Sequence, residues 1–337
     1  MTRALIIGVS GTELTAQEGS FLKAFDPWGL ILFKRNIEHP QQVKALTEAF
    51  RKAVSRPDAP ILVDQEGGRV QRLTKPHWPL YPTGETFGRI GRIDPESAKK
   101  AAYLGAYLIG IDLISVGISV DCLPVLDIPV AGAHDVIGDR AYGRDAETVS
   151  VLGRAAAEGL MASGVIPIMK HIPGHGRAGV DSHLDLPIVD APLSELETDF
   201  IPFKANADLP MAMTAHVVYE AIDPQNPATT SKTVIDTIIR GKIGFDGLLM
   251  GDDVSMQALK GPIAERATAS LAAGCDVVLH CNGHFDEMQD LAAVVPELTG
   301  KALQRAEKAL LSAQKSYPQR DLVDARAEFA SLLALAG

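Results

Sequence analysis

Eight short β-branched or aliphatic runs alternate with helix-period segments from one end of the chain to the other. They fall at residues 4–9, 29–33, 60–64, 119–126, 165–170, 211–215, 247–251 and 276–281. A strand followed by a helix and then another strand has to cross over, so this order predicts a parallel sheet with helices packed outside it. Eight strand–helix units in succession predict a closed (β/α)8 barrel of the TIM type.

The helical pattern between the strands is legible in several places. Val149, Leu152, Ala156 and Leu160 recur at three- and four-residue spacing, as do Leu193, Leu196, Phe200 and Phe203. Ser194 and Glu197 have the spacing of a capping box at the start of the second of these helices. Another helix is expected from Ser231, presenting Val234, Ile235, Ile238 and Ile239 and ending at Gly241. The length of 337 residues would by default suggest two domains, but a barrel commonly runs past about 250 residues as one unit. There is no Ser/Pro-rich hinge, low-complexity stretch or fixed-period repeat. The expectation is therefore one catalytic domain over 1–337, closed by C-terminal helices at about 298–335 with a break at Tyr317-Pro318.

Composition narrows the function. With 32 Lys+Arg against 42 Asp+Glu the formal net charge is -10, so a nucleic-acid backbone is repelled on average. Three cysteines, Cys122, Cys275 and Cys281, are an odd number, and the first two lie in or beside apolar runs. They are expected as buried thiols in a reducing compartment. The N-terminal apolar stretch is too short for a signal peptide, and no run approaches the roughly 18 apolar residues of a membrane span. A cytoplasmic protein without a membrane or nucleic-acid partner is expected.

Barrel enzymes build their sites from the C-terminal ends of the strands, and polar residues gather there. Strand three runs into Asp64-Gln65-Glu66-Gly67-Gly68-Arg69, strand four ends at Asp127, and strand five ends in Lys170-His171. Strands six, seven and eight end in Thr214-Ala215-His216, Asp252-Asp253 and His280-Cys281-Asn282. Any one of these could be a solvated strand end or a helix cap. Six together suit a small polar ligand, with carboxylates accepting from hydroxyls and Lys or Arg donating to them.

The densest segment follows strand five, from Lys170 to His183, and admits three chemistries. Gly174-His175-Gly176-Arg177-Ala178-Gly179 has the form of a dinucleotide loop, but the residues after it, Asp181, Ser182, Asp185 and Pro187, are those of a loop rather than of the helix that a pyrophosphate needs. His171, His175, His183 and Asp181 could ligate zinc, although Pro173 and its glycines oppose a helical arrangement and no H-E-x-x-H pattern is present. The reading that fits best is a glycine-hinged catalytic loop in which Asp181 orients and charges His183 for proton transfer.

Four separated motifs together resemble glycoside hydrolase family 3: Val63 to Arg72 (VDQEGGRVQR), Gly138 to Gly143 (GDRAYG), Lys170 to Gly176 (KHIPGHG) with Asp181-Ser182-His183, and Met250 to Met256 (MGDDVSM). The likeness runs in order through most of the chain. It is strongest to the single-domain bacterial β-N-acetylglucosaminidases that act on peptidoglycan fragments in cell-wall recycling. The resemblance implies a retaining mechanism in which Asp252 attacks the anomeric carbon, while Asp253 is structural. It also implies that His183, paired with Asp181, is the acid/base in place of a second carboxylate. Asp64, Arg72, Arg140, Lys170 and His171 match its sugar-binding positions, and cations near Asp252 would keep that group ionised. No cofactor and no metal are implied, and a monomer is expected to take GlcNAc-containing muropeptides as substrate.

The chain departs from the family pattern at Ile172, at Arg177-Ala178 and at Gly251, none of which is a proposed catalytic residue. Gly251 removes a hydroxyl beside the nucleophile, and Arg177 bears on the loop. The competing functions are phosphorolysis of the same bond, a metal-dependent barrel hydrolase, and a sugar-binding barrel without activity.

Overall fold

The computed structural model describes residues 2–182, 185–312 and 320–337. Eight parallel strands form the centre: β1 (Arg3–Ile7), β2 (Pro27–Leu32), β3 (Ile61–Val63), β4 (Val120–Asp121), β5 (Ile166–Ile172), β6 (Met211–Thr214), β7 (Leu248–Met250) and β8 (Val278–His280). Their order in the sheet is β7-β6-β5-β4-β3-β2-β1-β8, so sequence neighbours are spatial neighbours throughout. The seam between β7 and β8 is joined by a parallel bridge from Met250 to Val277, by Asp276 N–H donating to Leu249 C=O at 2.7 Å, and by Val254 N–H donating to Leu279 C=O at 2.9 Å. The sheet thus closes on itself as a (β/α)8 barrel, as the eightfold alternation predicts.

The strands read as unbroken aliphatic runs because both of their faces are covered, by the barrel interior on one side and the helices on the other. Leu5, Ile6 and Ile7 of β1 are all fully buried, as are Ile61, Leu62 and Val63 of β3. One hydrophobic cluster extends from Ala4 to Phe329 and takes in residues of every strand.

Each predicted strand is present, but β4 is shorter than the expected 119–126. Pro124 has no N–H for the ladder, so regular pairing stops after Asp121. The chain still runs beside β5, where Leu126 N–H donates to Lys170 C=O at 2.7 Å. That path carries Asp127 to the same end of the barrel as Lys170 and His171.

The helix over Ala146–Ser163 starts on Asp145, whose carboxylate accepts from Thr148 N–H at 2.8 Å, and stops at Gly164 with φ of 92°. Two predicted details are corrected. The helix over Leu193–Ala205 is entered through Pro192, so Ser194 lies inside the first turn and forms no capping box; Glu197 pairs with Lys242 instead. The next helix, Val234–Ile243, has π geometry and runs past Gly241 to Gly244, which supplies the positive φ of 79° that ends it. Ser231 does open it, its hydroxyl accepting from Val234 N–H at 3.0 Å.

Helices Gly300–Ser312 and Leu322–Leu333 follow β8 and its helix; Tyr317-Pro318 lies outside the described residues. All three cysteines are free and buried. No helix among the described residues is long and apolar enough to cross a membrane.

Candidate active site

The C-terminal ends of β2, β3, β5, β6, β7 and β8 line a cavity of about 330 Å³, a size suited to a small ligand. Its walls include Asp64 and Glu66 after β3, Lys170 and His171 from β5, Asp252 and Asp253 after β7, and Asn282 after β8. Arg72 and Arg140 also line it. Residues dispersed over more than two hundred positions thus meet in one space.

The segment after β3 turns back as a short hairpin, Gln65–Gly67 paired antiparallel with Val70–Gln71. Gly67 and Gly68, both with positive φ, make the turn, and a Cβ on Gly67 would lie 2.2 Å from Pro82 C=O. Gln65 holds the hairpin from within. Its carbonyl oxygen accepts from Arg72 N–H and Leu73 N–H at 2.8 and 3.0 Å, and its amide donates to Leu73 C=O at 2.9 Å. Extended backbone puts alternate residues on one face, so Asp64 and Glu66 both reach the cavity while Gln65 does not.

The hairpin brings Arg72 back to Asp64, its Nη2 3.0 Å from Oδ2. Lys170 Nζ bridges the two carboxylates, 2.9 Å from Asp64 Oδ1 and 2.6 Å from Glu66 Oε1. Arg140 completes the cluster with a two-pronged contact to Glu66, both at 2.8 Å. The Lys170 side chain is 2% exposed and that of Glu66 4%. Burial pushes the carboxyl of Glu66 up, but Arg140 and Lys170 more than offset it and hold it down at about 2. Asp64 is likewise held well below the usual carboxylate range, burial being overcome by Lys170 and Arg72. The ammonium of Lys170 is held above its ordinary value, with Asp64 and Glu66 outweighing the cost of burial. Below them Asp121 is fully buried and its carboxyl is pushed well up by that burial, while its Oδ1 accepts from Gln65 N–H at 2.9 Å.

A second anchor is Asp127. Its Oδ2 accepts from His171 Nδ1 at 2.7 Å and its Oδ1 from the backbone N–H groups of His171 and His175, at 3.2 and 2.6 Å. Burial raises this carboxyl, yet His171 and His175 bring it net below its ordinary value. With Nδ1 committed to the carboxylate, the Nε2 edge of His171 is left for the cavity.

After β7, Asp252 Oδ1 accepts from Asp253 N–H at 2.8 Å. Asp253 is spent on structure: its Oδ1 accepts from Ser255 N–H at 2.9 Å and from Cys281 N–H at 3.1 Å. His216, fully buried, donates from Nε2 to Asp253 C=O at 2.9 Å and accepts on Nδ1 from the Thr229 hydroxyl at 2.7 Å. The turn that carries Asp252 is therefore tied to β6 and to β8.

Of the residues singled out from sequence, Asp64, Arg72, Arg140, Lys170, His171 and Asp252 line the one cavity. Asp181 is half-buried in the loop beyond β5, and His183 lies outside the described residues. Lys170, Arg72 and Arg140, the cations expected near Asp252, line the same cavity as that residue and pair there with Asp64 and Glu66. Glu66 was within the quoted motif but was not singled out, since in sequence its charge looks like an exposed turn residue. Asp127 and His216 stand at strand ends with no role assigned from sequence, and His175 enters there only as a candidate zinc ligand. Phe33 was missed altogether; Arg35 and Arg72 stack on its ring at 5.1 and 5.4 Å. An aromatic at the end of an apolar strand carries no signal that it faces a cavity rather than the core.

For the zinc reading, His171 is taken by Asp127 and His175 by Ser182, whose Oγ lies 3.2 Å from Nε2. Among the described residues no group of three His, Cys, Asp or Glu side chains is arranged to hold a metal.

Comparison with known proteins matches this architecture. Residues 8–312 match the Glycosyl hydrolase family 3 N terminal domain. A beta-hexosaminidase of Alkalilimnicola ehrlichii is 41% identical over 283 residues, 82% of this chain and 80% of that protein. A beta-hexosaminidase of Xanthomonas campestris pv. campestris is 39% identical over 305 residues, 89% and 87% of the two chains. The crystal structure of NagZ from Neisseria gonorrhoeae in complex with N-trifluoroacetyl-D-glucosamine superposes with a TM-score of 0.86 at 32% identity, covering 100% of this chain and 98% of that one. Barrel, motifs and relatives agree, and the chain belongs to glycosyl hydrolase family 3.

Proposed function

We propose that this protein is a retaining β-N-acetylglucosaminidase that removes terminal β-linked N-acetylglucosamine from peptidoglycan fragments in the cytoplasm, acting as a single-domain monomer over 1–337. The observation that carries the reading is the Asp64–Lys170–Glu66–Arg140 cluster sharing a sugar-sized cavity with Asp252. The relatives named above support the choice of sugar.

Asp64 retains acceptor capacity for ring hydroxyls, because a carboxylate offers about four lone-pair sites and Lys170 and Arg72 use two. Arg72, Arg140 and Lys170 donate to hydroxyl and carbonyl oxygens of the sugar, and the Nε2 edge of His171 offers a hydrogen-bonding partner to a hydroxyl. Asp252 then attacks the anomeric carbon, forming a C–O bond as the bond to the leaving oxygen breaks. His183, oriented by Asp181, gives its proton to that oxygen. Water next attacks the same carbon and gives a proton to His183, and the bond to Asp252 breaks. A neutral imidazole left after the first step puts no second negative charge near the nucleophile.

Trapping with a 2-deoxy-2-fluoro or 5-fluoro glycoside followed by peptide mapping is expected to place the sugar on Asp252. A label on any other residue sinks the mechanism. Asp252→Ala is expected to lose at least about a thousand-fold in kcat. Product analysis in phosphate buffer is expected to give the free sugar and no sugar phosphate.

A further inference from the structure

The loop after β5 is fastened along its first half. The Tyr219 hydroxyl donates to Gly174 C=O at 2.7 Å, and Asp127 takes His175 N–H. The 128–134 segment runs alongside, with Val130 N–H donating to Gly176 C=O at 3.2 Å and His134 N–H to Ala178 C=O at 2.8 Å. Arg177 Nε lies 2.6 Å from Asp199 Oδ2 on the helix Leu193–Ala205. Gly176 sits so close to the neighbouring chain that a Cβ would be 1.9 Å from Ile128 C=O.

Gly179 and Val180 are exposed, and a Cβ on Gly179 would meet nothing within 4 Å. The chain then returns: Ser182 is only 3% exposed, and its hydroxyl lies 3.2 Å from His175 Nε2 on the fastened root. His175 is itself 3% exposed, and its Nδ1 has no hydrogen-bond partner among the described residues. The side chain of His175 thus makes its polar contact with Ser182, across the exposed tip.

We propose that His175 is a positioning residue whose imidazole latches Ser182 to the rigid root of the loop, and so sets where the flanking pair, Asp181 and His183, is presented. The inference rests on the acid/base role given to that pair above. Ser182 stands between its two members in sequence, so anchoring this one side chain constrains the backbone on either side of it. Burial, with His171 beside it, holds the His175 ring neutral down to about 4, so the latch keeps one protonation state across the neutral range.

The test compares two β-N-acetylglucosaminides, one with a dinitrophenyl leaving group and one with an alkyl alcohol. Proton donation matters for the second and little for the first. Ser182→Ala is expected to lose roughly ten-fold in kcat/KM on the alkyl glycoside and less than about two-fold on the dinitrophenyl one. His175→Leu is expected to do the same, and the double variant to be no worse than either single one. Ser182→Thr, which keeps the hydroxyl, is expected to recover most of the loss.

A Ser182→Ala variant equal to wild type on both substrates overturns the latch. So does an equal loss on both with a lowered melting temperature, which is what a purely structural contact gives. His183→Ala run in parallel separates the two ideas. If it is selective for the alkyl glycoside and Ser182→Ala is not, the latch alone fails. If it is indifferent to the leaving group, the acid/base reading fails and the latch with it.

Discussion

Lys170 serves two carboxylates at once, and its consequences for pH follow from the sign of their shifts. Glu66 is held at about 2 and Asp64 well below its ordinary value, both after burial is outweighed by cations. Unfolded, these groups titrate near about 4. Their contribution is therefore complete above about pH 4 and is lost as pH falls toward about 2. His175 acts in the same direction: burial, with His171, lowers it to about 4, so between about pH 6.5 and 4 the unfolded ring binds a proton that the folded one refuses. Asp199, pushed up to about 6 by burial, opposes His175 over that range, so the urea midpoint is expected to drop below about pH 4, and Glu66→Gln to flatten that fall. An unchanged slope in that variant counts against the ion cluster as its source. At this scale Asp64, Lys170 and Asp252 were legible because family motifs flank them. Glu66 was not, because two residues of separation in a Gly-rich turn do not reveal that the backbone there is extended and points both carboxylates one way.

Among the elements, helices Pro95–Ser115 and Ala146–Ser163 approach at backbone distance. Gly159 makes this possible, since a Cβ there would lie 2.1 Å from Tyr103 C=O and 3.0 Å from Tyr107 N. Neither atom can swing aside as a flexible side chain would, so Gly159→Ala has to separate the helices. The expected cost is about 1–3 kcal/mol despite the better helix propensity of alanine, checked by the urea midpoint of the variant. A stabilised variant would mean the helices have room to move apart. The strands were found from sequence to within a few residues because aliphatic runs buried on two faces stand out. Helix ends were read less well. Ser194 has the spacing of a cap but lies inside its helix, which begins directly after Pro192, and Glu197 finds Lys242 across space.

The whole molecule depends on closing a sheet whose last seam is thin. Between β7 and β8 regular pairing reduces to one bridge and a few backbone bonds, and Asp276 stands at that seam. Its Oδ2 accepts from Leu249 N–H and from Arg240 Nη2, both at 2.9 Å, and its Oδ1 from Arg305 Nη1 at 3.0 Å. One carboxylate thus ties β7, the helix Val234–Ile243 and the helix Gly300–Ser312 to the start of β8. Its side chain is 5% exposed, and removing it leaves Arg240, Arg305 and the Leu249 N–H each short of one acceptor. Asp276→Ala is expected to cost about 3 kcal/mol in a denaturant titration. A loss under about 1 kcal/mol would show that the seam is held by packing alone.

The order of elements, the closed barrel and the end of the barrel that bears the site were all determined by the sequence itself, since hydrophobic period and strand–helix alternation are local properties of a chain. So was the candidacy of Asp252, through the motif around it. Only the tertiary structure decided which charges meet. Lys170 and Glu66 lie over a hundred positions apart, and their contact depends on barrel closure and on the hairpin at Gly67-Gly68. Pairing between distant side chains is set by where a three-dimensional path returns, and a one-dimensional pattern does not carry that information.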